Sequence, residues 1–124
     1  MIKRTVSFTG FDGKEHTEDI YLNLTKMEVF KFMKKHGIDA NNTEASFKTF
    51  ISNMTKDGDV LKMLETMEEI VLLAYGKKSE DGLHFLKTRA IREEFSKSLA
   101  YETFFNQLIE DPTLAKALGE ELGK

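Results

Sequence analysis

The chain has 124 residues, 40 % of them hydrophobic and 31 % charged, with a formal net charge of −3 and no cysteine. Such a length and composition suit one ordinary domain with a real core and do not suit disorder. They exclude disulfides, thiolate catalysis and cysteine-based zinc sites, and they give no basic footprint for nucleic acid. The longest apolar run, Ile70 to Tyr75, falls far short of the roughly 20 residues a membrane span takes. The N-terminus has no apolar run after Lys3-Arg4, so no signal peptide is expected. A single proline permits long helices.

Residues 1–24 read as a β-hairpin. Thr5-Val6-Ser7-Phe8-Thr9 alternates polar and apolar, Gly10-Phe11-Asp12-Gly13-Lys14 is turn chemistry, and the return strand ends Ile20-Tyr21-Leu22-Asn23-Leu24. A lone hairpin is marginal in water. The apolar face of Val6, Phe8, Ile20, Leu22 and Leu24 should therefore pack on helices or pair with another chain.

Helix one begins at Thr25, where Thr25 and Glu28 have capping-box spacing. It is expected to carry Met27, Phe30 and Met33 inward and to stop near Gly37. Ile38 to Asn42 is a polar link, and Thr43 is a cap for helix two. Phe47, Phe50, Ile51 and Met54 then fall at i, i+3, i+4 and i+7, one buried stripe. Asp57-Gly58-Asp59 breaks the pattern, and Asp59 can cap helix three. In that helix Val60, Leu64, Met67, Val71 and Ala74 form one face. Leu61, Ile70, Leu72 and Leu73 widen it until the C-terminal half is apolar nearly all round, as in a helix central to a core or covered by a partner.

Gly76 ends helix three. Lys77 to Gly82 reads as a polar turn and Leu83 to Lys87 as a short extended piece. Helix four runs from about Thr88 through Phe95. Helix five starts near Ser98 and carries Tyr101, Phe104, Phe105, Leu108 and Ile109. Asp111-Pro112 restarts a helix with an acceptor at the cap and proline at the first position. Helix six places Leu114, Leu118 and Leu122 at steps of four, beside Ala115 and Ala117. The expected fold is mainly α: a hairpin followed by five or six helices in a compact orthogonal bundle, α+β if the hairpin is counted. It is read as a single domain over 1–124, with the hairpin at 1–24, a helical core at 25–110 and a short terminal helix at 111–124.

Candidate chemistry is sparse. His16, His36 and His84 are far apart, and none pairs at the i, i+4 spacing of a helical metal site. His36 suits a helix C-terminus, and the basic pairs Lys34-Lys35 and Lys77-Lys78 read as solvated helix ends. Glu68-Glu69, Glu93-Glu94 and Glu120-Glu121 are adjacent, so their members do not face each other on a helix. Asp57-Gly58-Asp59 and Glu80-Asp81-Gly82 evoke calcium loops but lack the alternating ligands and terminal glutamate, leaving turn and cap roles. No phosphate-cradling glycine motif and no nucleophile elbow is present. No catalytic, cofactor or metal residue is assigned. Met27, Met33, Met54, Met63 and Met67 lie on or beside apolar helix faces, as core filling or as an adaptable binding surface.

The order of several pieces points to a family. The hairpin with its Asp-Gly turn leads into Asn23-Leu24-Thr25. A helix ends in Ala74-Tyr75-Gly76 within EIVLLAYGKKSEDGLHFLK at 69–87. Lys78 through Phe85 reads Lys-Ser-x-Asp-Gly-x-x-Phe, and REEFSKSLAYETFF follows at 92–105. Over nearly the whole chain, most weakly between Lys35 and Val60, this resembles the tail assembly chaperones of long-tailed bacteriophages.

The resemblance implies a protein of the host bacterial cytoplasm that binds the tape measure protein and keeps it soluble. It implies help for tail tube protein polymerising around that rod, no covalent chemistry, no cofactor, and departure before the virion matures. In many such phages the chaperone gene ends with a programmed frameshift; Leu122-Gly123-Lys124 reads as a plain polar tail, though its codons can accommodate a slippery run. The candidate contact set is Tyr101, Phe104, Phe105 and Leu108 with Leu114, Leu118 and Leu122, acting by helix-in-groove packing; plain core is the other reading of the aromatics, and the leucine stripe is the better interface. The wide face of helix three and the unpaired hairpin edges also offer surfaces for a homo-oligomer. Two other readings stand beside this one: a different non-catalytic interaction module, such as a regulatory adaptor or minor structural phage protein, and an enzyme with an unrecognised site.

Overall fold

The computed structural model describes residues 1–38, 43–56 and 58–123, the side chains of residues 43–46 and 55 excepted. The link at 39–42, the capping side chain of Thr43, Asp57 and Lys124 lie outside the described residues. Among the described residues an N-terminal antiparallel hairpin is followed by six helices.

Strands β1 (Ile2–Thr9) and β2 (Glu15–Leu22) pair in a register running from Ile2↔Leu22 to Thr9↔Glu15. The turn closes through Gly10 N–H to the Lys14 carbonyl, 2.8 Å, with Gly13 at φ 78°. That left-handed angle is one glycine adopts without a Cβ clash. Ile2, Val6, Ile20 and Leu22 are buried on the inner face, as the alternation requires. The hairpin rests on helices: β1 meets α5 and β2 meets α3. One edge of β2 is engaged within the chain, since Leu22 bridges Tyr75 and the Asn23 N–H donates to the Ala74 carbonyl at 2.8 Å.

Helix α1 (Lys26–Lys35) opens on the expected capping box. Glu28 N–H donates to Thr25 Oγ1 at 3.1 Å, and Thr25 N–H donates to Glu28 Oε1 at 3.0 Å. The expected inward set needs correction. Met33 is buried, but Met27 is 62 % and Phe30 42 % exposed, while Val29 and Phe32 face the core. Val29, Phe32 and Met33 form their own i, i+3, i+4 stripe, and the helix is rotated to bury that one.

Helix α2 (Thr43–Lys56) buries Phe47 and Ile51, with Phe50 and Met54 at its flank. Helix α3 (Val60–Ala74) is capped by Asp59, which accepts from Lys62 N–H at 3.1 Å. Its C-terminal half is central to the core, with Met67, Ile70, Val71 and Ala74 all buried. Its first turn departs from expectation, since Val60 and Leu61 stand in water at 61 % and 66 % exposure.

The segment after α3 holds a second, smaller hairpin. Strands β3 (Lys77–Lys78) and β4 (Phe85–Leu86) pair as Lys77↔Leu86 and Lys78↔Phe85. Lys77-Lys78 is thus strand, not helix end, and the expected extended piece at 83–87 is its return limb. Gly76 sits where a Cβ would fall 2.6 Å from the Phe85 ring and 2.8 Å from the Leu86 carbonyl. A bare backbone lets this hairpin fold back on the end of α3.

Helices α4 (Arg89–Ser96), α5 (Leu99–Glu110) and α6 (Pro112–Leu122) are capped by Thr88, Ser98 and Asp111, with Pro112 in the first turn of α6. Phe95 lies flat on Tyr75, ring centroids 3.6 Å apart at 2°, and so fixes α4 to the end of α3. Helix α6 packs on α2, α3 and α5. Every helix and both long strands contribute to one buried cluster.

Candidate partner-binding surface

The contact set read from the sequence divides in the fold. Tyr101, Phe104, Leu108, Leu118 and Leu122 are buried, while Phe105 and Leu114 keep part of their surface in water. The periodic stripes of α5 and α6 are consumed by β1, α2 and α3. Tyr101 donates its hydroxyl hydrogen to Glu68 Oε2 at 2.7 Å and stacks on Phe105, centroids 5.6 Å apart. Burial, reinforced by the Glu68 carboxylate, pushes the Tyr101 phenol well above its ordinary pKa.

Large apolar side chains are exposed elsewhere. Met27 and Phe30 lie on the outer face of α1, and Val60 and Leu61 on the first turn of α3. Phe11 and Leu83 stand at the tips of the two hairpins, 93 % and 80 % exposed. A single exposed apolar residue is ordinary on any surface; helical neighbours exposed together are a candidate contact. The sequence reading sent Met27 and Phe30 inward on hydrophobicity alone, and set Val60 and Leu61 on the wide apolar face of helix three.

A groove of about 290 Å³ opens between the end of α1, the C-terminal half of α2 and the start of α3. Phe50, Met54 and Met63 give it apolar walls, and His36, Asp59 and Lys62 line it as well. Flexible thioethers let such a groove fit side chains of varied shape. Its edge is held by polar contacts to one carboxylate. Glu69 takes Lys35 Nζ on Oε1 at 2.8 Å and His36 Nε2 on Oε2 at 3.1 Å. Partial burial opposes ionisation of Glu69, but Lys35 and His36 outweigh it and hold the carboxyl below its usual pKa. The His36 ring also lies 4.4 Å from the Phe32 ring. His36 is the C-cap residue of α1, the place its sequence position suggested. Met33 and Met67 fill core, whereas Met54 and Met63 face the groove.

The remaining polar residues form turns and caps. His16 pairs with Asp12 at 2.9 Å in the first turn. His84, 70 % exposed, lies 3.8 Å from Asp81. Asp81 accepts from the Ser79 hydroxyl and the Leu83 N–H, and Asp59 caps α3, so these two members of the calcium-like strings serve local structure. Among the described residues no group of three or more histidines and acids is placed to hold a metal, and no helix is long and apolar enough to cross a membrane. The arrangement offers apolar contacts and charged rims, which is the chemistry of holding another chain.

No curated protein and no solved structure matches this chain. A family model described as phage tail assembly chaperone matches residues 1–119, which takes in both hairpins, the helix end at Ala74-Tyr75-Gly76 and most of α6. The chain belongs to the phage tail assembly chaperone family.

Proposed function

We propose that this protein binds the tape measure protein in the host bacterial cytoplasm, keeps it soluble, and promotes polymerisation of tail tube protein around it. It acts by binding alone and leaves before the virion matures. The observation that carries this reading is that helical apolar side chains stand in water as near neighbours, Met27 with Phe30 on α1 and Val60 with Leu61 on α3. A tape measure protein is a long helical rod with apolar stripes, and such stripes are covered by packing helix against helix. Many weak contacts by many copies along one rod give firm coating by avidity. Of the sequence-based contact set, Phe105 and Leu114 are the members that can reach a partner without unfolding this chain.

Co-expression tests the proposal. The tape measure protein from the same phage genome, insoluble when made alone, should become soluble and co-purify with this chain. Added tail tube protein should then assemble on the complex. A tape measure protein that neither binds this chain nor gains solubility from it would overturn the proposal.

A further inference from the structure

We infer that the outer face of α1 is a docking surface for an acidic amphipathic segment of the partner; the inference rests on the chaperone reading for the partner's identity and on α1 for the surface. Met27 and Phe30 stand one turn apart on this face, 62 % and 42 % exposed. Lys26, Lys31 and Lys34 surround them on the helical wheel, all exposed. Among the described residues none of the three has a carboxylate within ion-pair distance, whereas Lys35 is tied to Glu69. Glu28 is the one acid in α1. It is turned to Lys87 Nζ at 2.8 Å and to the Thr25 backbone, so it does not neutralise the face.

The helix dipole accounts for Lys34 near the C-terminal end of α1. It does not account for Lys26, which sits at the first helical position, where a positive charge is disfavoured. Three lysines without an ion-pair partner among the described residues, set around two exposed apolar side chains on a chain of net charge −3, define the chemistry of the occupant. It must carry carboxylates flanking apolar residues. Its extent is short too, since ten residues of α1 span about 15 Å, or roughly three turns of a helix laid alongside. A polyanionic surface such as a membrane or a duplex would meet the acidic remainder of the molecule, whereas a short acidic helix meets only this patch.

Affinity for the tape measure protein should be measured across salt concentrations for the wild type, K31E/K34E, M27S/F30S and a control, K97E, on the exposed end of α4. Helical circular dichroism and thermal melting should accompany each to establish folding. The expected result is binding weakened about tenfold by K31E/K34E, with the loss shrinking as salt rises, since reversing two exposed charges turns attraction into repulsion. M27S/F30S should weaken binding at every salt concentration, and K97E should leave it unchanged. Wild-type binding that persists in both double variants with unaltered salt dependence would overturn the surface while leaving the chaperone reading intact. Absence of wild-type binding would overturn both. Capture by phosphatidylglycerol vesicles or duplex DNA that K31E/K34E abolishes, with tape measure binding unaffected, would assign the face to a polyanion and overturn the inference.

Discussion

Lys87 and Glu28 are joined by a bidentate contact, Nζ to Oε1 at 2.8 Å and to Oε2 at 2.9 Å, across 59 residues of sequence. Both side chains are mostly withdrawn from water, and Lys87 also donates to the Asn23 carbonyl at 2.5 Å. The residue that closes the α1 capping box is therefore also the anchor for the segment between β4 and α4. Lys87→Ala leaves a partly buried carboxylate and a backbone carbonyl without their partner, and should cost about 1–3 kcal/mol in urea unfolding at neutral pH.

The same pair sets a pH dependence. Burial resists ionisation of Glu28, but Lys87 and the Thr25 backbone prevail and hold its pKa below the ordinary 4.5. A depressed folded pKa means the unfolded chain binds the proton more readily. The contribution of Glu28 is thus whole above pH 4.5 and is lost as pH falls through the folded value. Glu28→Gln should show a shallower fall in stability over that acid range than the wild type. Parallel curves for the two would show that Glu28 has no such role.

Gly119 brings α6 close against α2. A Cβ there would lie 2.9 Å from Ile51 Cγ2 and 3.0 Å from Cδ1, and Ile51 is fully buried. Alanine gains about 1 kcal/mol of helix propensity over glycine, but overpacking against a side chain with no room to move costs about 1–3 kcal/mol. Gly119→Ala should therefore lower the melting temperature, and adding Ile51→Val should recover part of the loss. A Gly119→Ala protein more stable than wild type would mean that α6 can shift outward freely.

The helix starts were legible because capping is local chemistry. Thr25 with Glu28, Thr88, Ser98, and Asp111 with Pro112 all occupy the positions their spacing suggests. The choice of face on α1 was not local. Met27, Phe30 and Met33 share a helical period with Val29, Phe32 and Met33, and long-range contacts, among them the packing of α2 on Phe32 and the capture of Glu28 by Lys87, accompany the second choice. The second hairpin escaped notice because two-residue strands are too short to alternate, although Asp81-Gly82 signalled its turn. The leucine stripe of α6 shows the same limit for function. A stripe at steps of four looks alike whether α2 or another protein covers it, and here α2, α3 and α5 cover it.

Phe95 and Phe11 illustrate two kinds of aromatic in one chain. Phe95 is 4 % exposed, sandwiched between the Tyr75 ring and the Tyr101 edge at 5.2 Å, and Phe11 is 93 % exposed at a turn. Phe95→Ala should cost about 3–5 kcal/mol, and Phe95→Leu about 1–2 kcal/mol through loss of the aromatic contacts. Phe11→Ser should stay within about 0.5 kcal/mol of wild type. Equal effects of Phe95→Ala and Phe11→Ser in urea unfolding would contradict the stacking that docks α4 on α3.

Tyr101 gives the corresponding test at alkaline pH. Its burial and its hydrogen bond to Glu68 favour the neutral phenol, so its folded pKa rises well above the ordinary 10.0. A group with a raised folded pKa contributes stability that is whole below pH 10.0 and is lost as pH climbs through the folded value. Tyr101→Phe removes the hydrogen bond and should cost about 1 kcal/mol near neutral pH. It should also flatten the alkaline decline. Near-ultraviolet absorbance distinguishes the phenols: the wild type minus Tyr101→Phe difference should show an ionisation delayed until the chain unfolds. A difference curve centred on pH 10.0 with helical circular dichroism intact would show that Tyr101 reaches water and that Glu68 does not hold it.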